Sequence, residues 1–320
     1  MRRKLLYLLL GILLLFLLLD PKTAFLSSKN GLNLWFQTIM PSLLPFMILS
    51  NFLLSGQGIH RVLNYFSGLF RFLFGVSPYG GYVLLLGLFC GYPMGAKLTA
   101  DLYLSGNISH REAEYLLAVS NNPSPTFLTA YLLVGTLNRP DLAPACLAAV
   151  YGGFFLTCQV FRLADCRSKT DCAELSSCDY LKKEYQKETS PPLPFGKRID
   201  ASIMNGFTAI TKLGGYILMF SILSGLLGKL FQSTPLLAAL ILGTTEISTG
   251  VQQLAAIPLP FPLSCSLIFA CTAFGGFSIA AQASSMIQSS GLKLTPYLAG
   301  KCCCAVFTFI LCLLFFVIVL

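Results

Sequence analysis

Long apolar runs dominate the chain, and polar residues interrupt them at a few defined places. Uncharged stretches cover 5–19, 30–59, 72–96, 115–138, 142–161, 213–228 and 302–320, and between 230 and 292 the only charge is Glu246. About 20 apolar residues in a helix cross roughly 30 Å of hydrocarbon, so the pattern predicts an all-α polytopic membrane protein. One segment, 164–200, is strongly hydrophilic. It holds Lys182-Lys183-Glu184 and Ser190-Pro191-Pro192 and reads as a solvated linker that divides the chain in two.

The two parts repeat one order of elements. Each opens with a long apolar helix, about 32–55 and 202–229. Each continues with a segment interrupted at its centre. In 79–105 the centre is Cys90-Gly91-Tyr92-Pro93-Met94-Gly95, and in 236–256 it is Thr244-Thr245-Glu246-Ile247-Ser248-Thr249-Gly250. A broken helix follows, at Asn121-Asn122-Pro123-Ser124-Pro125 and at Phe274-Gly275-Gly276-Phe277-Ser278, and an unbroken helix closes each part, 142–161 and 297–320. Gly91 lies 155 residues before Glu246, and Ser124 lies 154 before Ser278. The organisation expected is an N-terminal anchor (1–30), a first repeat (31–163), the linker (164–200) and a second repeat (201–320).

Two arms of about ten residues rise roughly 15 Å each and reach the bilayer midplane, so 79–105 and 236–256 fit re-entrant hairpins. Hairpins leave three crossings per half and invert one half against the other. The basic linker, with Arg61, Arg71, Arg111 and Lys293, then falls on the cytoplasmic side; full crossings would put the linker outside. The expectation is about seven spans, two re-entrant hairpins and two broken helices in an inverted repeat. Arg2-Arg3-Lys4 before Leu5–Leu19, without a small-x-small cleavage site, reads as an uncleaved anchor with a cytoplasmic N-terminus.

Composition narrows the function. The chain is 55% hydrophobic and 11% charged, with a mean hydropathy of +0.72. A soluble domain carries about 25% charged residues, so most soluble enzyme classes and intrinsic disorder are excluded. The net charge of +9 sits between apolar runs, which is a topology signal and not a nucleic-acid surface. Twelve Cys include no C-x-x-C pair of the zinc type. Consecutive Cys302, Cys303 and Cys304 point in different directions on a helix, and a cytoplasmic linker keeps Cys166, Cys172 and Cys178 reduced.

Glu246 is the sharpest chemical feature. A carboxylate at bilayer depth must be paired or face water. With Thr244, Thr245, Ser248 and Thr249 around it, it reads as a ligand for a solute or for a coupling proton or Na+; the other reading is a structural pair with Lys212. Lys97 and Asp101 stand four apart, so they form a local ion pair or part of a site. Unwound backbone at membrane depth is tolerated only beside protein or a water-filled cavity. The substrate-binding candidates are therefore Gly91, Tyr92, Pro93 and Gly95 in the first tip, and Asn121, Asn122 and Ser124 in the first break. In the second half they are Thr245, Glu246, Ser248 and Thr249, then Gly275, Gly276, Ser278 and Gln282. His60 and His110 form no catalytic or metal motif. No enzyme activity, no metal and no cofactor are expected. The partners are the lipid bilayer, a small polar solute and a second copy or other membrane proteins, and not nucleic acid.

The order helix, hairpin, broken helix, helix resembles the core of concentrative nucleoside transporters and the related Gate, or nucleoside-recognition, domains. Cys271-Thr272-Ala273-Phe274-Gly275-Gly276-Phe277-Ser278-Ile279-Ala280-Ala281-Gln282 is similar to their broken helix. The first tip differs: it has Gly-Tyr-Pro where those transporters carry a polar Gln-Thr-Glu-like set. From about 30 to 310 the chain more closely resembles the sporulation integral membrane protein YlbJ family of endospore-forming bacteria. Pro41-Ser42-Leu43-Leu44-Pro45-Phe46, Gly91-Tyr92-Pro93-Met94-Gly95-Ala96-Lys97 and Asn121-Asn122-Pro123-Ser124-Pro125 carry that likeness. It implies a Gate-domain protein of the bacterial cell or forespore membrane, associated with spore formation. Two functions fit: a permease for a small polar or nucleoside-like solute, coupled through Glu246, or a non-transporting scaffold needed for spore formation.

Overall fold

The computed structural model describes residues 2–54, 65, 67–167 and 194–319. His60, Arg61, Cys172, Cys178 and most of the linker lie outside the described residues, as does the side chain of Cys166. Among the described residues every regular element is helical.

The first half opens with α1 (Arg2–Leu19) and α2 (Pro21–Asn33). Asp20 caps α2 by accepting the Thr23 N–H at 3.2 Å, and Pro21 sits at the first helical position, where its missing N–H costs nothing. α2 runs through a π-helical turn (Leu34–Ile39) into α3 (Met40–Leu54). A short α4 (Ser67–Phe74) leads to α5 (Pro78–Cys90) and α6 (Met94–Leu104), the arms of the first hairpin. α7 (His110–Val119) and the π-helical segment Phe127–Thr136 make the first broken helix, and α8 (Ala143–Arg167) closes the half.

The second half repeats this order. α9 (Phe195–Leu230) is followed by the hairpin α10 (Pro235–Thr245) and α11 (Ile247–Ala256). The broken helix α12 (Phe261–Phe274) and α13 (Gly276–Ile287) then leads to α14 (Thr295–Val319). α8 and α14 are both 25 residues long and begin 152 apart, at Ala143 and Thr295.

Both interrupted segments double back. Residues seven apart on a continuous helix are about 10.5 Å apart along its axis. A Cβ on Gly250 would instead overlap the backbone of Gly243, so α10 and α11 lie side by side. In the first hairpin a Cβ on Gly87 would stand 3.5 Å from Gly95 Cα, and both glycines abut the Ser120 carbonyl.

Four helices among the described residues are long and apolar enough to cross a bilayer: Pro140–Ala164, Phe195–Leu230, Phe261–Ser290 and Thr295–Phe316. Two bent pairs raise the number to as many as six. Hydropathy and charge placement predict about seven, and both bent pairs lie in the first half. α1 turns against α2 by 111°, so two apparent spans form one bent pair. In the first broken helix α7 carries Arg111, Glu112 and Glu114, which leaves only Phe127–Thr136 apolar.

The halves share one core. Leu98, Leu116 and Leu117 of the first pack in one cluster with Ile210, Ala283 and Tyr297 of the second. α14 approaches α7 so closely that a Cβ on Gly300 would overlap the Ala118 carbonyl.

Candidate functional site

The second hairpin turns on one extended residue, Glu246 (φ −142°, ψ 119°), which is the N-cap of α11. The first N–H groups of a helix lack internal partners and present partial positive charge. Glu246 meets them. One carboxylate oxygen accepts the N–H (3.1 Å) and hydroxyl (2.9 Å) of Ser248, and the other accepts the N–H (2.9 Å) and hydroxyl (3.0 Å) of Thr249. A carboxylate offers about four acceptor positions, so its own helix fills them all. The residue is 4% exposed.

Lys212, the expected structural partner, is exposed on α9, and no ion pair joins it to Glu246 among the described residues. The helix N-terminus supplies the positive end locally and removes the need for a distant cation. Acid at N-cap with Ser and Thr two and three residues on is a capping pattern that is visible in the sequence.

Ser248 and Thr249 each spend their one hydroxyl hydrogen on Glu246 and are left as acceptors, Ser248 beside the Tyr131 hydroxyl. Both line a cleft of about 680 Å³. Its other walls are polar: Asn30, Asn33 and Gln37 from the first long helix, Ser221 and Ser224 from α9, and Tyr131 and Gln252. Lys229, also on the wall, is ion-paired with Asp20. α2 and α9 approach closely through Gly31 against Ser221 and Gly225 against Ser27. Trp35 holds the same pair of helices together, donating its indole N–H to the Ile210 carbonyl at 2.9 Å. Asn30, Asn33 and Gln37 escape a reading based on charge. Their signal is carboxamides at i, i+3 and i+7, which share one helical face.

The first tip lies elsewhere. Gly91 turns at φ +82° beside Ser124, and the Tyr92 hydroxyl donates to the Thr272 carbonyl. The second break separates the two tips. A Cβ on Gly275 would be 3.3 Å from the Tyr92 ring, and one on Gly276 would be 3.2 Å from the Thr244 and Thr245 carbonyl oxygens. Both glycines have positive φ (84° and 78°), which leaves room for a tip on each side.

The asparagines of the first break are structural caps. Asn121 accepts the Ala96 N–H at 2.8 Å, capping α6, and donates to the Leu117 carbonyl. Asn122 donates to the Val119 carbonyl at 2.8 Å. Ser124 accepts the Phe127 N–H, Thr245 donates to the Ile241 carbonyl, and buried Gln282 donates to Ser278 on the same helix. Of the residues expected to bind substrate, Glu246, Ser248 and Thr249 line the cleft. Gly91, Tyr92, Pro93, Gly95, Asn121, Asn122, Ser124, Thr245, Gly275, Gly276, Ser278 and Gln282 do not, because their polar atoms and close contacts build the tips and breaks themselves.

Lys97 pairs with Asp101 at 2.7 Å and also donates to Asn51 at 3.0 Å. Cys302 is exposed, Cys303 intermediate and Cys304 buried, as three faces of one helix require. One buried charge has no counterpart in the sequence reading. Lys301 is 1% exposed, with its ammonium 3.1 Å from the Ala273 carbonyl and 3.4 Å from the Asn122 side-chain oxygen. Hydropathy hides it, since it sits at the edge of an apolar run.

No family model and no solved structure matches the chain. Among curated proteins it is similar to the sporulation integral membrane protein YlbJ of Bacillus subtilis (strain 168). The two are 29% identical over 305 residues, which cover 88% of this chain and 74% of the relative. With the apolar helices described above, that likeness makes this a multi-pass integral membrane protein.

Proposed function

We propose that the protein is a sporulation-associated permease, not an enzyme, that passes a small polar solute through the cleft at the Glu246 tip. The sporulation role rests on the relative's name. The observation that carries the permease reading is the cleft, about 680 Å³ of amide- and hydroxyl-lined space running down to a buried carboxylate. Polar space at membrane depth is costly unless a polar group enters it. Among the described residues the one cation at the cleft wall, Lys229, is already paired, so the lining favours an uncharged solute with several hydrogen-bonding groups. Within this reading Glu246 acts through the Ser248 and Thr249 groups that it orients.

Lys229 and Gln232 place one wall of the cleft at the end of α9 remote from Phe195 and the linker. With the basic linker and the N-terminus cytoplasmic, this conformation faces outward. Gln252 is exposed on the cleft wall. Gln252→Cys should therefore react with a membrane-impermeant thiol reagent added to intact cells, while Cys172 and Cys178 react only after permeabilisation. A transported solute should slow the labelling of Gln252→Cys and accumulate in proteoliposomes. Labelling of the linker from outside would reverse the orientation. A folded Gln252→Cys protein inert from both sides would remove the cleft and leave the scaffold reading.

A further inference from the structure

We propose that Lys301 is a resident cation: its ammonium permanently fills an oxygen cage at the second break that an exchangeable alkali cation would otherwise occupy. The permease reading above then becomes that of a transporter that works without Na+. The cage itself is independent of that reading.

A helix end leaves its last carbonyls unpaired and carries partial negative charge. The two breaks solve this differently. In the first, Asn121 and Asn122 fold back onto the carbonyls of Leu117 and Val119. In the second, Gly275 and Gly276 have no side chains to fold back. The Gly275 N–H takes the Cys271 carbonyl at 3.0 Å, and the next two carbonyls are satisfied from other elements. Thr272 receives the Tyr92 hydroxyl, and Ala273 receives the Lys301 ammonium at 3.1 Å.

The rest of the cage is also neutral. The Asn122 side-chain oxygen lies 3.4 Å from the ammonium, and the Tyr92 ring centroid lies 5.2 Å away, offering its π face. Among the described residues no carboxylate forms a salt bridge with Lys301. A buried ammonium without a counter-ion is costly, so the oxygens must hold it. Backbone and amide oxygens around a cation at membrane depth are the donor set that alkali-ion sites use. Here the cation is tethered to α14, and it ties the first tip and both breaks to that helix.

Melting of the purified full-length protein in detergent tests this, in chloride salts of Na+, K+ or N-methylglucamine at one ionic strength. The wild type should melt at the same temperature in all three. Lys301→Ala should melt about 5 °C or more lower in N-methylglucamine, and Na+ or K+ should restore at least half of the loss by entering the vacated cage. Lys301→Met keeps the volume without the charge and should stay low in every salt. A wild type stabilised by Na+ over N-methylglucamine, or a Lys301→Met protein as stable as wild type, would overturn the proposal. If neither variant can be purified, the wild-type salt series still decides. Absence of flux alongside the expected melting pattern counts against the permease reading alone.

Discussion

Gly250→Val is expected to prevent the second hairpin from closing and to cost roughly 3 kcal/mol or more. The atoms a Cβ would meet belong to the Gly243 backbone, not to a flexible side chain, so no rotamer change relieves the overlap. The arms would have to separate, and the Glu246 cap lies only a turn away. Gly215→Val is the control: Gly215 is exposed on α9 with nothing within 4 Å of its Cβ position, and its replacement should leave melting nearly unchanged. The readouts are melting temperature and the monodisperse fraction in detergent. A Gly250→Val protein as stable as the control would mean the arms do not touch, and 236–256 would then be read as a full crossing.

Glu246→Ala is expected to combine instability with loss of uptake. It removes the acceptor of four hydrogen bonds and strands the Ser248 and Thr249 N–H groups in a buried place, at about 2–3 kcal/mol. It also frees both hydroxyls to rotate, so the cleft no longer presents two fixed acceptors. Loss of one such oriented contact lowers affinity about tenfold. Glu246→Gln should fall between, since its amide keeps one acceptor oxygen and turns an NH2 toward donors. Lys212→Met should be silent, because Lys212 is exposed and unpaired with Glu246. Melting and proteoliposome uptake of the four proteins measure this. If Lys212→Met destabilised as much as Glu246→Ala, and the double variant recovered, the cap account would fail and the ion-pair reading would return.

These predictions draw on different amounts of sequence and structure. The hairpins, the breaks and their repetition in two halves were legible along the chain, because an apolar run, a Gly turn or an Asn-Pro interruption acts on the residues next to it. The Lys97–Asp101 pair was legible for the same reason, as two positions on one helical face. The cap on Glu246 was equally local, and a capping pattern would have found it. The span count was less so, since the 111° bend between α1 and α2 leaves no mark in hydropathy.

The sequence by itself determined a helical membrane protein of two like halves, each with a helical hairpin and a broken helix. Those features follow from hydropathy and backbone permissiveness, which are local. Only the tertiary structure decided which polar residues share a place. Asn30 and Gln37 meet Ser248 and Thr249 because α2 packs on α9 through Gly31 and Gly225. Tyr92, Asn122 and Lys301 meet at the carbonyls of Thr272 and Ala273, leaving the first tip outside the cleft. The reason is physical: whether a buried polar atom is a cap, a lining group or a resident charge depends on which orphaned backbone group lies opposite it, and the facing element is distant in the chain.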